Sequence, residues 1–362
     1  MDPFTYTQNP SRVIFGSGTL SQLPAELTRQ NLTRPLLLST PEQLSQAEMV
    51  ARLLLQLPGF VIAGTFSNAT MHTPTDVTDR AIAYLSSVSA DSLISIGGGS
   101  TIGLGKAISI RTGLLHICIP TTYAGSEMTP ILGETEAGVK KTRSDPRILP
   151  GTVIYDVDLT LTLPVGMSAT SGVNAIAHAV EALYAVNANP ITSLLALEGI
   201  RALASALPAI VAAPQDVAAR QRALYGAWLC GGCLGSVGMS LHHKLCHTLG
   251  GTFNLPHAQT HTIVLPHALA YNFPGLSKDV QQRLGEAFPE SNGDPVVGLN
   301  VLLGKLGVER ALRAYGMKEE DVERAAELAV ANPYANPRKV VREEIREVIR
   351  RAWAGEPARQ DL

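Results

Sequence analysis

Charge, cysteine and long apolar runs are all in short supply in this 362-residue chain, and each shortage excludes something. Charged residues make up 17%, the formal net charge is −2, and no run of Lys or Arg accompanies aromatic residues. A nucleic-acid partner would need such a basic footprint, so none is expected. Four cysteines, Cys118, Cys230, Cys233 and Cys246, do not make a disulfide scaffold. Cys230-Gly-Gly-Cys233 has the spacing of a redox pair, but it lies in a small-residue stretch and not after a strand. It reads as a pair of buried, reduced packing cysteines. The first ten residues hold no basic stretch followed by an apolar one, so no signal peptide is expected. Apolar runs such as residues 36–38 and 53–55 are too short to cross a bilayer. A cytoplasmic protein without a membrane partner is the expectation. There is no internal repeat and no low-complexity linker.

What remains is an ordinary globular composition, 45% hydrophobic, in a chain long enough for two domains. Short β-branched or Leu-rich runs at residues 12–15, 35–38, 59–66, 92–96, 116–119 and 153–156 predict strands. Helical patterns, such as 43–57 and 75–87, lie between them. Strands spaced by helices predict a parallel, doubly wound, Rossmann-like sheet. Past Leu163-Pro164 the β-rich runs cease, and Ala, Leu, Glu and Arg dominate. The reading is an α/β domain over residues 1–164 and an all-helical substrate domain over 165–362, with the active site in the cleft between them.

Residues 92–96 run straight into Gly97-Gly98-Gly99-Ser100, and a helical pattern follows. Glycines at a strand-to-helix turn let backbone N–H groups approach a phosphate, and the helix N-terminus adds partial positive charge. A tight turn needing positive φ is the plainer alternative. The spacing is not Gly-x-Gly-x-x-Gly, so the dinucleotide reading rests on context. A second polar loop, Pro120-Thr121-Thr122-Tyr123-Ala124-Gly125-Ser126, follows the next strand, at the sheet edge that faces ligands in such folds. Thr121, Thr122 and Ser126 are cofactor candidates, although the loop also reads as a capped helix start. After the second strand, Leu36-Leu37-Leu38-Ser39-Thr40-Pro41 offers no carboxylate to repel a 2′-phosphate, so Thr40 is expected to meet NADH or NADPH alike.

Seven of nine histidines lie between positions 178 and 267. Asn174, His178 and Glu181 fall at i, i+4 and i+7 on one helix face. His243 and His247 repeat the i, i+4 spacing, a metal-ligand geometry, and His257 follows ten residues later. Several histidines at helical spacing point to a site more than to packing.

In this order, the glycine-serine loop, the Pro-Thr-Thr loop and the two His-bearing helices resemble the iron-containing (group III) alcohol dehydrogenases over essentially the whole chain. That resemblance implies a dehydroquinate synthase-like architecture, with Asn174, His178, His243 and His257 at the family's metal-binding positions and His247 near the substrate. Three departures stand out. The family's anionic Asp ligand is Asn174, Gly103 stands near an acidic position of many relatives, and the Pro-Thr-Thr loop is one residue short. These departures, with Ser-Gly-x-Asn-Ala-Ile-Ala-His and His-His-Lys-Leu-Cys-His, resemble the maleylacetate reductase branch. That branch implies NADH- or NADPH-dependent reduction of maleylacetate to 3-oxoadipate in aromatic-compound degradation, with no strict need for metal and only a vestigial metal site.

The chemistry is consistent with this implication. The substrate is a dianion with a C=C bond conjugated to a ketone. Hydride adds to the carbon β to the ketone, charge develops on the ketone oxygen, and the neighbouring carbon takes a proton. Histidines with nearby cations can serve all of this without metal. His178, His243, His247 and His257 are the catalytic candidates. Asn174, Lys140, Lys244 and Tyr123 are the substrate-binding candidates, although Lys140, Lys141 and Arg143 also read as a solvated basic surface. The expected partners are a small dicarboxylate and a second copy of the chain in a homodimer. The alternatives are a metal-dependent alcohol or polyol dehydrogenase of the same superfamily and a dehydroquinate-synthase-like lyase.

Overall fold

The strand at residues 92–97 lies where two opposite windings of the chain meet. The computed structural model describes residues 4–6, 9 and 11–362, except the side chain of Lys140. The chain divides into two units: one ends at Leu163, and the other combines Pro164–Leu362 with the N-terminal residues 4–6.

The first unit carries β1 (Arg12–Gly16), α1 (Leu23–Arg29), β2 (Pro35–Leu38), α2 (Leu44–Leu55), β3 (Gly64–Phe66), α3 (Thr75–Val88), β4 (Ser92–Gly97), α4 (Gly99–Thr112), β5 (Leu115–Pro120), β6 (Ile131–Glu136), β7 (Val139–Ser144) and β8 (Thr152–Asp156). Six strands form one parallel sheet in the order β1-β8-β5-β4-β2-β3. β2, β4 and β8 are buried along their whole length, which is why they read as unbroken apolar runs and not as alternation. Alternate residues still face opposite sides. Leu37, Ile94, Ile96, Ile117 and Ile154 pack with Leu23, Leu27, Val50 and Leu54 of α1 and α2. Leu36, Leu38 and Leu93 pack on the other face, with Ala81 and Leu85 of α3 and Leu104 and Ile108 of α4. From β2 the chain winds outward to β3, and from β4 it winds the other way to β5. Loops at such a reversal diverge and leave a crevice beyond the strand ends.

Two expectations change. The strand expected over residues 59–66 contracts to Gly64–Phe66. Before it, only single bonds, Val61 N–H to the Thr33 carbonyl and Ala63 N–H to the Pro35 carbonyl, hold the chain along this edge of the sheet. The segment holding Lys140, Lys141 and Arg143 was not among the expected strands, and Lys141 and Arg143 do lie exposed. It is β7 of an antiparallel hairpin with β6, and its register sets Lys141 opposite Glu134 and Lys140 opposite Thr135.

The second unit is helical: α5 (Val165–Ala182), α6 (Pro190–Ala212), α7 (Val217–Ser236), α8 (Leu241–Phe253), α9 (His257–Asn272), α10 (Lys278–Ala287), α11 (Pro295–Leu306), α12 (Asp321–Val330) and α13 (Arg342–Ala354). With 23 residues and mean hydropathy 1.7, α6 has the length and apolarity of a membrane span, unlike any run singled out in the sequence. Its Ala-rich face is buried, and it packs against α5 and α7. A second core joins Leu241, Leu245 and Leu249 of α8 to Ile263 and Val264 of α9 and to Ile345, Val348 and Ile349 of α13. All four cysteines are buried and unpaired, and burial pushes the Cys230 thiol well up and the Cys233 thiol to about 12.

Two glycines let α6 and α7 touch. A Cβ on Gly199 would meet Cys230 Sγ at 2.7 Å, and one on Gly226 would meet Leu203 Cγ at 2.9 Å. Overpacking of this kind costs about 1–3 kcal/mol, against a helix-propensity gain of up to about 1 kcal/mol for Gly to Ala. Gly199→Ala is expected to lower stability by about 1–2 kcal/mol in urea unfolding; an unchanged or raised midpoint would show that the contact is not tight.

Candidate active site

In the first unit the site grows from the end of β4. Gly97 has φ of 147°, and a side chain there would run into Gln43 and Thr101. A Cβ on Gly98 would meet Thr122 Cγ2 at 2.9 Å. Packing within the protein therefore explains both glycines. Gly99 differs, since its nearest neighbour would be Ala124 Cβ at 3.9 Å. The first helical bond of α4 runs from Ile102 N–H to the Gly98 carbonyl, so Gly99, Ser100 and Thr101 keep N–H groups that the helix does not use. These groups, at the strand ends where the winding reverses, fit a dinucleotide pyrophosphate.

The neighbouring loop is built to stay in place. Gln43 Nε2 donates to Thr121 Oγ1 at 2.8 Å. Thr122 is buried beside Gly98. Lys106 of α4 is fully buried, and its Nζ donates to the Thr129 carbonyl at 2.8 Å, the Ile131 carbonyl at 3.0 Å and the Ser126 carbonyl. Burial brings Lys106 down to about 8. Tyr123 is wholly buried in the same loop. Thr40, two residues past β2, has its hydroxyl 3.4 Å from Gln43 Oε1. Glu42, just past the segment without carboxylates, is held below its usual pKa by a hydrogen bond to its own backbone and by the Thr40 hydroxyl. An acidic group therefore does stand near this strand end.

The second unit holds the histidines. Asn174, His178 and Glu181 are buried together on α5. Glu181 accepts from the backbone N–H groups of His242 at 2.7 Å and Ser240 at 2.9 Å, and its Oε2 lies 2.7 Å from His243 Nδ1. His243 Nε2 lies 2.9 Å from His178 Nδ1. The His178 and His243 rings stand 5.0 Å apart, His243 and His247 6.2 Å, and His257 and His261 4.2 Å. His261 reaches His243 at 5.1 Å and His242 at 4.8 Å. Six histidines thus form one contiguous group, with His247 and His257 the more exposed and His178, His242, His243 and His261 buried. His267 lies apart, its pKa lowered to about 3 by burial and by Arg310 and Arg351.

His242 and His261 were not among the site residues expected from sequence. His242 stands at i−1 to His243, a spacing that shares no helix face, and only packing against α9 brings it in. Its Nε2 lies 3.1 Å from the His261 carbonyl. His261 repeats the i, i+4 spacing after His257, which is the signal that could have found it.

The remaining expected residues lie elsewhere. Lys244 is half-buried, with Nζ 5.8 Å from the Tyr334 ring centroid. Lys141 pairs with Glu136 at 2.7 Å and Arg143 with Glu134 at 3.3 Å, both in the hairpin and both exposed. The charges of that cluster are thus largely spent on local carboxylates; the side chain of Lys140 is outside the described residues.

Burial sets the electrostatics of the cluster. It lowers His243 and His261 well below the ordinary histidine value and His242 to about 4, with the neighbouring imidazoles adding to the effect. Burial raises Glu181, opposed by His242 and the three backbone N–H groups. Burial thus favours the neutral form of His242, His243 and His261 beside Glu181.

Such a set offers a divalent cation lone pairs but, at the family's ligand positions, no negative charge. The four positions that correspond to the family's ligands offer only neutral donors, and two of them, His178 and His243, are bonded to each other. The three histidines whose ligand atoms lie within 4.8 Å of one another are His242, His243 and His261, a different group. Asn174 Oδ1, buried, has no hydrogen-bond partner among the described residues.

Comparison with known proteins follows the same lines. The family model "Iron-containing alcohol dehydrogenase" matches residues 10–157, and "Fe-containing alcohol dehydrogenase family, C-terminal" matches residues 168–353. The chain is 52% identical to a maleylacetate reductase of Rhizobium sp. (strain MTP-10005), covering 98% of this chain and 99% of that one. The crystal structure of maleylacetate reductase from Agrobacterium tumefaciens superposes with a TM-score of 0.93 at 50% identity, over 99% of this chain and 100% of that one. An iron-containing alcohol dehydrogenase from Corynebacterium glutamicum superposes with a TM-score of 0.91 at 40% identity, over 100% of this chain and 98% of the other.

A histidine whose folded pKa is depressed takes up its proton more readily when unfolded. Its contribution to stability is therefore complete above the unfolded value of about 6.5 and is lost as pH falls toward the folded value. With His242 at about 4, unfolding free energy is expected to fall steadily from pH 7 to pH 4.5. His261→Asn should flatten part of that slope. A wild-type profile level between pH 7 and 5 would contradict neutral burial.

Proposed function

Because the chain belongs to the iron-containing alcohol dehydrogenase family, we propose that this oxidoreductase carries out the NAD(P)H-dependent reduction of maleylacetate to 3-oxoadipate. One observation carries the reading. A chain half identical along its length to maleylacetate reductases holds a neutral amide, Asn174, where the resemblance puts an anionic metal ligand. Loss of that charge weakens the hold on a cation and removes repulsion of a dianionic substrate.

NAD(P)H, when bound, supplies the hydride. Gly99, Ser100 and Thr101 hold its pyrophosphate through backbone N–H groups, with Thr121, Thr122 and Ser126 in the adjoining loop and Thr40 just past β2. In the histidine cluster an imidazole N–H donates to the ketone oxygen as it gains charge, which is the largest stabilisation such a site can offer. Another imidazole gives its proton to the carbon next to the ketone. His178, His243, His247 and His257 are the candidates among which these roles are divided. Asn174 and Lys244 are assigned to binding of the dicarboxylate. The four unpaired thiols support a reducing, cytoplasmic compartment, and the working unit is proposed to be a homodimer.

A metal-dependent alcohol dehydrogenase is the second reading, favoured by the unpartnered Asn174 Oδ1 and by the similarity to the Corynebacterium protein. Chelation separates the two. Oxidation of NADH by maleylacetate is expected to survive exhaustive EDTA treatment, and Asn174→Asp should bind Zn²⁺ or Fe²⁺ more tightly while reducing more slowly. Loss of activity with EDTA, restored by Fe²⁺ or Zn²⁺, would favour the alcohol dehydrogenase.

Both nucleotides are expected to serve. The kcat/KM ratio between NADH and NADPH should stay within about a thousandfold, roughly 4 kcal/mol. Glu42 is the group near β2 that can disfavour a 2′-phosphate, so Glu42→Ala should shift the ratio toward NADPH. An unmoved ratio would mean that Glu42 does not face the ribose.

A further inference from the structure

We propose that Glu181 is a positioning residue which fixes the tautomers of His243 and His178 in series and so removes both from the role of proton donor. The inference rests on the reduction proposed above for its kinetic meaning, but its geometry stands independently of it. Glu181 Oε2 faces His243 Nδ1 at 2.7 Å and the Ser240 N–H at 2.9 Å, and Oε1 faces the His242 N–H at 2.7 Å. Backbone N–H groups can only donate, so both oxygens are engaged as acceptors, and His243 carries its proton on Nδ1. A second observation agrees. His242 Nε2 lies 3.1 Å from the His261 carbonyl, an acceptor, so that nitrogen bears the proton of a neutral ring. His242 Nδ1 is then a lone pair, and it lies 3.4 Å from His243 Nδ1, a contact tolerable only if His243 Nδ1 carries hydrogen.

The consequence passes down the line. With Nδ1 protonated, His243 Nε2 is a lone pair, and it lies 2.9 Å from His178 Nδ1. His178 must therefore also carry its proton on Nδ1 and present a lone pair at Nε2. Each of the two protons is already held in a hydrogen bond, one by the carboxylate and one by the neighbouring ring. Neither is available to a substrate carbon, so the donated proton comes from another histidine of the cluster.

The test begins with the unaltered protein. In ¹⁵N spectra of histidine-labelled enzyme at pH 7.5, His243 and His178 should show the Nδ1–H tautomer, assigned through His243→Asn and His178→Asn. An Nε2–H tautomer at His243 overturns the proposal outright, whatever the substrate proves to be. Glu181→Gln can keep its amide oxygen on His243 and Ser240 and turn its NH₂ group toward the His242 N–H. It should retain the tautomer and most of kcat, though its melting temperature falls. Glu181→Ala loses both functions. There the His243 tautomer should change or become mixed, and kcat should fall about 10- to 100-fold, the range seen when a carboxylate that orients a metal-bound histidine is removed. KM for NADH should stay unchanged. If Glu181→Ala folds and keeps kcat within twofold, or if kcat in both variants merely follows melting temperature, Glu181 is structural only and the proposal fails. If the wild type does not turn over maleylacetate, the function fails, and the spectra still decide the tautomers.

Discussion

The carboxylate of Glu181 organises the helical half of the molecule around itself. It is buried on α5, where an isolated charge would be prohibitive. It persists there because α8 starts directly against it. Ser240, at the head of α8, makes no side-chain cap. Glu181 fills that role through the N–H groups of Ser240 and His242, and the positive end of the helix dipole favours the negative charge. A charge-assisted cap contributed by another helix ties α5 to α8 and sets the rotation of α8 about its axis. That rotation decides where His243 and His247 point, and His242 then meets the His261 carbonyl of α9. The cluster is thus the consequence of one buried acceptor and the donors it gathers.

The α/β half uses the opposite charge in the same way. Lys106 is buried in α4, and its ammonium is held by carbonyls of the loop after β5. Three N–H donors on one nitrogen suit a curved stretch of chain that would otherwise leave its carbonyls unmet. The hydroxyls of Thr121 and Thr122 are therefore presented by a loop anchored from beneath. Nearby, Gly97 and Gly98 are glycine because the protein itself crowds them, whereas a Cβ on Gly99 would meet no more than ordinary contact with Ala124. The distinction matters because a glycine loop signals a ligand only where packing does not already require the glycine.

Each unit, taken by itself, matches one requirement of a nicotinamide-dependent reduction. One offers helix N–H groups at the reversal of a parallel sheet. The other offers neutral imidazoles held in defined orientations. The exchange of an anionic ligand for Asn174 changes what such a cluster is good for. Four neutral donors hold a cation less tightly than a set with a carboxylate, and they also supply N–H groups and lone pairs for moving protons.

Much of this was legible from residue order, because it depends on local spacing. The continuous apolar runs of β2, β4 and β8 name buried parallel strands, and the i, i+4 pairs place Asn174 with His178 and His243 with His247. What local spacing could not carry was decided by tertiary contact. The hairpin β6–β7 looked like a basic patch until the fold paired Lys141 with Glu136 and Arg143 with Glu134. Residues 59–63 kept a strand's composition but run along an edge with only single bonds to hold them. α6 reads as apolar enough for a bilayer, and its packing against α5 and α7 makes it a core helix. His242 lies off the face of His243 and joins the cluster only because α9 packs there. Glu181 could be seen on the face of Asn174 and His178, but not which donors would come to it. Periodicity determines which side of an element is buried, while the pairing of one buried polar atom with another depends on how separate elements dock.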